Sequence, residues 1–424
     1  MVAAMTTKTE IRHVQQDEIP PWLRAMRTTL LVNPAAGGEH TLPWWHAVWD
    51  SDRVFGGYAE GRCVATLRTF ATTLTIPFGP AECAELPTDA LTQVTVAATH
   101  RRQGLLTQML TRSLQNAKDR GEVVSLLRAA EWPIYGRFGY WPAVMGANYR
   151  ILSMRRPRVL PPEAAHQLIG VEPEKLPEPA SEVHRRVRMR RAGHIDRTPA
   201  DWQRRLGLNG LRPPDAREPV CVLARNAEGR VDGYAVWRAN DGDWFLHPDQ
   251  AQVTIDEVLA ATNDAYRALW HYLLNLDLVR VLLLQAYAVD EPLEWLLSDG
   301  RAAQRTWIGD NDWLRLLDVP AALSARRYAS TDRLVLEVVD RDGGWAAGRF
   351  TLDGGPTHAE CRATPAATAD LRLSQRALAG IYLGGNTVAS QQLAGLVDEQ
   401  TPGAAARLES MFWTAQRPWN ATPF

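Results

Sequence analysis

Residues 94 to 106 read VTVAATHRRQGLL, and this stretch decides the fold. It begins with β-branched residues typical of a strand, passes two arginines and a glycine, and enters a segment with apolar residues at helical spacing. The first backbone N–H groups of a helix bind anions, and Gly104 allows a phosphate to approach the backbone closely. Arg101 and Arg102 add positive charge. The stretch therefore predicts a phosphate-binding turn, although it contains neither a nucleotide P-loop nor a dinucleotide-binding GxGxxG pattern.

The segments on either side of this turn predict a mixed α/β domain. Upstream, residues 53–75 have the pattern of a β-hairpin turned at Gly61, and a strand is expected over residues 91–97. Downstream, apolar periodicity predicts a helix over residues 103–118, and a short apolar run predicts a buried strand at residues 123–127. Hairpin, strand, helix and strand follow one another in that order.

The same order of elements returns later in the chain. The tetrapeptide Ala-Glu-Gly-Arg begins at residue 59 and again at residue 227, between two predicted strands each time. A helix over residues 266–274 and a strand over residues 279–285 then follow, which indicates an internal duplication. The second copy has TNDAYR (residues 262–267) where the first has THRRQG (residues 99–104). We therefore expect the second copy to have lost the anion site and to serve as a scaffold.

A third region follows the duplication. Two strands lead, at residues 334–339 and 348–352, and two helices trail, at residues 374–383 and 403–413; this arrangement is typical of an α+β domain. A proline-rich stretch at residues 157–179 is interpreted as interdomain chain. The predicted division is a first domain at residues 1–150, a second at 151–305 and a third at 306–424.

Composition argues against several classes of partner. The chain has 47 basic and 48 acidic residues and a formal net charge of -1, so no overall field attracts nucleic acid or an anionic membrane. Its apolar runs are far shorter than the roughly 20 residues of a membrane span. The first ten residues lack the apolar core of a signal peptide, and the four cysteines are far apart. We expect a cytoplasmic protein without a metal, and interpret the basic run at residues 184–191 as a solvated helix face paired with acids.

Candidate catalytic residues follow the first copy's last predicted strand, where residues 134 to 140 read IYGRFGY. When an amine attacks a thioester, a thiolate leaves, and a nearby phenol can protonate it. Tyr135 and Tyr140 both offer a phenol. Packing of both rings in the core is the alternative, and the spacing alone does not choose between the two tyrosines.

Two stretches, THRRQGLL at residues 99–106 and AAEWPIYGRFGY at residues 129–140, together resemble the enhanced intracellular survival (Eis) family within the GNAT superfamily of N-acetyltransferases. Leu106 departs from the glycine or alanine that closes the superfamily's phosphate-binding motif. Further similarity at residues 313–315, 319–323 and 382–385 extends the resemblance over essentially the whole chain. It implies tandem GNAT folds, the second degenerate, followed by a sterol-carrier-protein-like domain, and so an α/β and α+β protein.

The resemblance also implies an activity. It implies direct acetyl transfer from acetyl-CoA to a primary amine of an aminoglycoside, polyamine, arylalkylamine or lysine side chain. In this family the tyrosine that begins YGRFGY is the general acid, which points to Tyr135, and the terminal carboxylate, here that of Phe424, is the general base. The family forms homohexamers, so a homo-oligomer is expected. An alternative is a lipid- or acyl-CoA-binding protein that uses the C-terminal domain.

The remaining site residues are carried over from the family's pattern. Trp45 falls where the family has a tryptophan of the amine pocket, with core packing as the alternative, and Pro423 replaces the family's penultimate acid, which weakens the case for polyamines. The expected acetyl-CoA contacts are Val94, Thr95, Val96, Arg102, Gln103, Gly104, Leu105, Leu106, Thr107, Ala130 and Glu131.

Overall fold

The computed structural model describes residues 9–33, 38–79, 82–155, 157–212, 216–240, 242, 244–247, 250–340 and 344–424. Residues 1–8, most of the segment in which no signal peptide is expected, lie outside the described residues. In the described ranges, no helix has the length and apolar character needed to cross a membrane.

Six strands and four helices form the first part of the chain. The strands are β1 (Glu10–His13), β2 (Val54–Ala59), β3 (Arg62–Pro77), β4 (Cys83–Val96), β5 (Val124–Leu127) and β6 (Trp141–Leu152). The helices are α1 (Ile19–Thr29), α2 (Leu42–Ala47), α3 (Leu105–Asp119) and α4 (Trp132–Tyr135).

A second set repeats the plan of the first. Its strands are β7 (Gln167–Val171), β8 (Val220–Arg225), β9 (Val231–Ala239), β10 (Gln252–Ala260), β11 (Val281–Ala288) and β12 (Ala303–Leu316). Its helices are α5 (Pro177–Arg188), α6 (Pro199–Leu206), α7 (Asn263–Leu274) and α8 (Leu293–Leu296). The predicted hairpin, helix and strand are therefore present in each copy, and the duplication is visible in the structure.

One sheet of twelve strands runs through both copies, in the order β1-β2-β3-β4-β5-β12-β6-β11-β10-β9-β8-β7. The copies exchange their last strands at its centre. β12, which follows the second copy in sequence, pairs with β5 of the first, while β6 pairs with β11 of the second. The predicted boundaries at residues 150/151 and 305/306 fall within these two strands, and the division into domains stays a prediction.

The last part of the chain has a sheet of its own. Its five strands lie in the order β15-β14-β13-β16-β17. They are β13 (Asp332–Val339), β14 (Gly348–Gly354), β15 (Ala359–Ala363), β16 (Leu371–Ser374) and β17 (Val397–Glu399). Four helices accompany them: α9 (Val319–Ala325), α10 (Gln375–Ile381), α11 (Val388–Leu393) and α12 (Ala404–Phe412). Leu126 of β5 and Leu378 of α10 share one apolar cluster, so this domain packs on the first copy.

Local sequence explains why the elements form where they do. Glu60 and Gly61 both have positive φ values, 50° and 75°, the backbone of a tight hairpin turn that joins β2 to β3. In α3, Leu105, Met109 and Leu110 recur at helical spacing and are buried against the sheet. Burying that face holds the start of α3 beside the end of β4.

Candidate active site

The site is built around a split between β4 and β5. The two strands pair in parallel only from Thr88 to Leu91 on β4, ending opposite Leu127 on β5. Pairing of β4 with β3 continues to Val96. One backbone edge of residues 92–96 therefore faces the gap. This edge includes the three β4 residues expected to contact acetyl-CoA, and Thr95 holds the strand to β3 through a 2.6 Å contact with the Thr66 hydroxyl.

A bulge directs β4 into this gap, and the sequence analysis missed it. Gln93 has a φ of 56°, and the pairing of β4 with β3 shifts register between Thr66 and Arg68. The Thr66 hydroxyl donates to the Gln93 carbonyl at 2.8 Å. Bulges bend a strand and leave one residue out of the ladder. A glutamine between two β-branched residues gives no local signal of this change.

The turn from β4 to α3 has the backbone expected of an anion site. Arg102 and Gly104 have φ values of 64° and 78°. Alternation of left-handed residues with their neighbours directs successive N–H groups into one concavity, which favours a phosphate. Gly104 is the N-cap of α3 and no side chain caps the helix. Arg101 and Arg102 lie exposed beside it, as the sequence predicts for a basic phosphate-binding turn.

The second copy closes the corresponding turn with its own side chains. The Thr262 hydroxyl accepts a hydrogen bond from the backbone N–H of Ala265 at 3.2 Å and so caps α7. The Asp264 carboxylate accepts the backbone N–H groups of Glu163 and Ala164 at 2.9 and 3.2 Å. An anion at this helix start would meet a carboxylate and a cap already in place. The structure thus gives a physical reason for the expected loss of the anion site.

The two candidate tyrosines have different surroundings. Tyr135 ends α4 and is 7% exposed, and burial with the nearby Glu131 charge raises its pKa to about 12. The Tyr140 hydroxyl is fully buried and lies 2.7 Å from the Ser125 hydroxyl, which donates to Asp89. Tyr140 therefore belongs to a buried polar network, and the role of Tyr135 as the acid stays a prediction.

The end of the chain reaches the first copy. The Phe424 ring packs edge-on against Phe70 of β3, with 5.8 Å between ring centroids. The guanidinium carbon of Arg128, the residue after β5, lies 5.6 Å from the centre of the Phe424 ring. Residues 419–422 leading to it are buried. A frayed terminus would be exposed, so the chain end is a built part of this region.

Phe424 and Tyr135 lie on opposite faces of the sheet at the split. Phe424 packs with the cluster that includes Leu126, whereas Tyr135 packs with Leu127 and with Leu105 of α3. Adjacent residues of a strand face opposite ways. A thioester placed in the gap would have the phenol on one face and the chain terminus on the other.

Comparison with known proteins agrees with this geometry. Residues 10–143 and residues 193–316 each match an acetyltransferase (GNAT) domain, and residues 319–421 match a sterol carrier protein domain. A protein of Streptomyces avermitilis described as an uncharacterized N-acetyltransferase is 36% identical over 97% of each chain. N-acetyltransferase Eis of Mycobacterium tuberculosis is 33% identical over 77% of this chain and 78% of its own. The chain belongs to the Eis family.

A solved structure of the family has the same overall fold. Eis1 from Mycobacterium abscessus superposes with a TM-score of 0.84, at 32% identity, over 98% of this chain and all of the other. A GCN5-related N-acetyltransferase from Anabaena variabilis shares the fold at 20% identity, with a TM-score of 0.82. These comparisons confirm two GNAT folds followed by a sterol-carrier-like domain, and they identify this Eis-family chain as an N-acetyltransferase of the GNAT type that uses acetyl-CoA.

The Eis-family chain holds its terminus through residues that the sequence analysis did not select. Asp312, fully buried on β12, accepts a 2.6 Å hydrogen bond from Arg128 and a 2.8 Å bond from the Asn420 amide. Arg197 donates to the Ala421 carbonyl and to the Thr422 hydroxyl, at 2.8 and 2.9 Å. Asp312 belongs to the polar stretch Asp310–Asp312, but the strand has further polar residues such as Gln304 and Arg315, so the sequence pattern does not single it out.

The Arg197 guanidinium is itself held by a buried carboxylate of the second copy. It donates to both carboxylate oxygens of Glu257 on β10, at 2.5 and 2.9 Å. Burial alone would raise the pKa of Glu257, but the charges of Arg197 and Arg205 lower it overall. The second copy thus positions the chain end for the first.

Trp45 is buried and, in the described part of the chain, does not line an open pocket. It is 8% exposed and packs edge-on with Trp44. The Arg68 guanidinium carbon lies 5.7 Å from the Trp45 ring and 5.6 Å from the Phe70 ring. Arg68 therefore connects Trp45 to the aromatic pair that contains Phe424. Ala130 and Glu131 are exposed between β5 and α4, at the rim of the split, and the roles of all these residues stay predictions.

Proposed function

We propose that the first copy transfers the acetyl group of acetyl-CoA directly to a primary amine of a small molecule or peptide. The amine nitrogen attacks the thioester carbonyl carbon, the carbon–sulfur bond breaks, and an amide and CoA result. Tyr135 donates a proton to the departing sulfur, and the Phe424 carboxylate accepts the proton that the amine loses. The observation that carries this proposal is the position of Tyr135 and Phe424 on opposite faces of one strand split.

Residues of the first turn would hold the cosubstrate. The uncapped N–H groups of residues 103–107, with the positive φ values of Arg102 and Gly104, suit a pyrophosphate. The free edge of residues 94–96 would pair with the pantetheine arm, as a third strand would. Ala130 and Glu131 border the thioester end of the same gap.

The protonation state of Tyr135 fits the role of an acid. With its pKa raised to about 12, the phenol keeps its proton throughout the neutral range. A group with a raised pKa stays protonated at every pH below that value. Deprotonation of Tyr135 would therefore slow the reaction only as the pH approaches 12. A thiolate is a stronger base than a carboxylate and needs a donor that is still protonated where the amine begins to lose its own proton.

The terminal carboxylate needs its surroundings to act as a base. An unperturbed α-carboxyl has a pKa of about 3.5, far below that of an amine. The Phe424 carboxylate would therefore act on an amine that is already partly neutral, directly or through one water. It would also attract the cationic form of the substrate to the split.

The test measures CoA release from acetyl-CoA with aminoglycosides, polyamines, arylalkylamines and lysine peptides. The intact chain is compared with Tyr135→Phe and with a chain lacking Phe424. We expect amine-dependent turnover whose kcat falls by about 10²- to 10⁴-fold in both variants, the usual contribution of a positioned acid or base.

Two further variants separate the carboxylate from the phenyl ring. Phe424→Leu keeps the carboxylate and should retain most of the activity. A single glycine added after Phe424 keeps the ring but moves the carboxylate by about one residue spacing, ~3.8 Å, and should be as slow as the truncated chain. Full activity of the extended chain would rule out the terminal base while leaving the acetyltransferase intact.

A further inference from the structure

A cavity of about 510 Å³ lies away from the acetyl-transfer site, where the second copy, the C-terminal domain and the end of the β3–β4 hairpin meet. One wall is the backbone of residues 258–263, the end of β10 and the start of α7. β10 pairs with β11 only from Gln252 to Ile255, while its pairing with β9 continues to Ala260. The cavity therefore occupies the strand split of the second copy, the counterpart of the proposed thioester site.

The phosphate end of this second split is closed. Thr262 caps α7 and Asp264 binds two backbone N–H groups of residues 163 and 164. The four-residue helix α8 ends in Leu296, where α4 of the first copy ends in Tyr135. A CoA molecule would find no open helix start for its pyrophosphate here, and no tyrosine at the end of α8. What persists is the pocket, within the usual 300–1,000 Å³ range of small-molecule sites.

The cavity lining has more positive than negative side chains among the described residues. Arg191 donates to the Asp290 carboxylate, whereas Arg190 and Arg327 have no carboxylate partner among the described residues. Arg190 donates to the Ala261 carbonyl, and Arg327 lies over the Phe78 ring at 4.5 Å. Glu82 supplies one exposed negative charge.

The second acidic residue of the lining lies at the floor. The Glu291 carboxylate is 9% exposed and accepts a hydrogen bond from the Tyr266 hydroxyl. Burial raises the pKa of Glu291, which favours its neutral form. The exposed Arg190 and the half-buried Arg327 therefore outweigh the remaining negative charge. A guanidinium that has no carboxylate partner can bind an anionic head group.

Apolar side chains contribute to the lining beside polar ones such as Asn263 and Gln416. Trp413 and Trp419 contribute from the chain segment that leads to the active-site terminus, and Val258, Leu259 and Pro292 contribute from the second copy. Trp413 is 61% exposed although it borders the cavity. An apolar surface beside two arginines that lack a carboxylate partner within the described ranges matches a molecule with an apolar body and an anionic head.

We propose that this cavity binds an amphipathic anion, with its acidic head at Arg190 and Arg327 and its apolar body against Trp413 and the end of β10. The site is separate from the acetyl-transfer site and does not depend on the mechanism proposed for it. One of its walls is residues 413–419, and Arg191 holds that segment by donating to the Arg417 carbonyl at 2.9 Å. A bound ligand would therefore order the chain that carries the terminal carboxylate.

The test titrates the full-length protein with dodecanoate, dodecyl phosphate and dodecanol by calorimetry. We expect saturable, one-to-one binding of at least one anion, and at least tenfold weaker binding of the neutral alcohol. A preference between the two anions identifies the head group as carboxylate or phosphate. Absence of saturable binding of either anion, or equal binding of dodecanol, would overturn the proposal.

Variants locate the site. The double variant Arg190→Gln/Arg327→Gln should weaken anion binding at least tenfold and leave dodecanol unchanged. Ala415→Trp fills the cavity from an exposed position, and Ala406→Trp places the same ring on the exposed face of α12 as a matched control. We expect Ala415→Trp to lose anion binding and Ala406→Trp to keep it. Unchanged binding in Ala415→Trp would place the ligand elsewhere and refute the assignment.

Amide hydrogen exchange gives a readout that does not rely on substitutions. Dodecanoate or dodecyl phosphate, whichever binds, should slow exchange in residues 413–419 and 258–263. Protection confined to the five-stranded domain would contradict the proposal. Acetyl-CoA should protect residues 102–107 instead, so that failure of one site is distinguishable from failure of the other.

Discussion

Helices α3 and α7 begin at equivalent places in the two copies, but their first backbone N–H groups have different partners. At α3 the N-cap is Gly104, which offers no side chain, and two arginines lie exposed beside it. At α7 the N-cap is Thr262, whose hydroxyl accepts the N–H of Ala265. A helix start without a cap costs stability unless a ligand takes its place. The uncapped start of α3 therefore has a local cost in stability that acetyl-CoA would offset if it binds there as proposed.

The second copy uses its polar groups to hold chain instead of ligand. Asp264 binds the backbone that enters the copy, and the Arg197–Glu257 pair binds the backbone that leaves the C-terminal domain. The same fold thus supplies the proposed reaction site in one copy and, in the other, a pair of charged residues that binds the chain end.

The largest effect should come from breaking the Arg197–Glu257 pair of the second copy. Arg197→Ala leaves the fully buried Glu257 carboxylate without its bidentate partner, which should lower the free energy of unfolding by about 3–5 kcal/mol. It also removes both hydrogen bonds to Ala421 and Thr422. Thermal unfolding followed by circular dichroism, together with CoA release, measures both losses.

A double variant separates the two effects. Arg197→Met with Glu257→Leu removes the buried pair and should recover only part of the stability, because the stranded carboxylate is gone but Arg205 and the Tyr234 hydroxyl lose Glu257 as a partner. The chain end stays without its two donors, so kcat should remain at least tenfold below that of the unchanged protein. Recovery of full activity along with stability would mean that the pair acts only on the fold.

A smaller effect on activity is expected from a substitution in the turn between β4 and α3. Gly104→Val places a β-branched residue at a φ of 78°, which costs an L-residue roughly 1–2 kcal/mol and blocks close approach of a phosphate. The KM for acetyl-CoA should rise by about thirtyfold, measured from initial rates at saturating amine. Gly229→Val is the matched control, because Gly229 has a φ of 84° in the second copy's hairpin turn, with open space around it. An equal rise in both variants would contradict a ligand role for Gly104.

Local patterns were enough to predict most single elements and the phosphate turn. The hairpin at Gly61 and the helix that follows Gly104 depend on turn chemistry and apolar spacing within a few residues, and both have the expected structure. The duplication was also predictable, because each copy repeats these local signals. The confirmed fold class follows from the same elements and from the family resemblance.

Pairings between distant parts of the chain could not be predicted in this way. β5 pairs with β12, and nothing in Val124–Leu127 distinguishes that partner from β6. Asp312 and Glu257 each have another acid nearby, Asp310 and Asp256, and no local pattern marks either of them. Their partners Arg128, Asn420 and Arg197 are far away in sequence. The tail as a part of the site came from the family resemblance, and the residues that hold it required the structure.

The positive charge of Arg102, in the turn between β4 and α3, should have a moderate effect on the KM for acetyl-CoA. Arg102→Gln removes a positive charge at the proposed pyrophosphate, and loss of one charged hydrogen bond is worth about 1.5 kcal/mol, or roughly tenfold in the KM for acetyl-CoA. The matched control is Arg267→Gln near the start of α7, which should leave that KM unchanged. Exposed charges are screened by salt, and the Debye length at 0.5 M salt is only about 4 Å. The difference in KM between Arg102→Gln and the unchanged protein should therefore shrink at that concentration. A difference independent of salt would point to a packing role for Arg102.

The smallest effect on stability is expected at the start of α7, where the Thr262 hydroxyl caps the helix. Thr262→Ala leaves the N–H of Ala265 without its acceptor, which should cost about 1 kcal/mol of stability and lower the melting temperature by about 2 °C. Because this helix start binds no phosphate in our proposal, the KM for acetyl-CoA and kcat should both stay unchanged. Thr262→Ser keeps the hydroxyl and should restore the melting temperature. If Thr262→Ala instead raised the KM for acetyl-CoA, the second turn would have kept a role in cosubstrate binding, and the contrast between the two helix starts would fail.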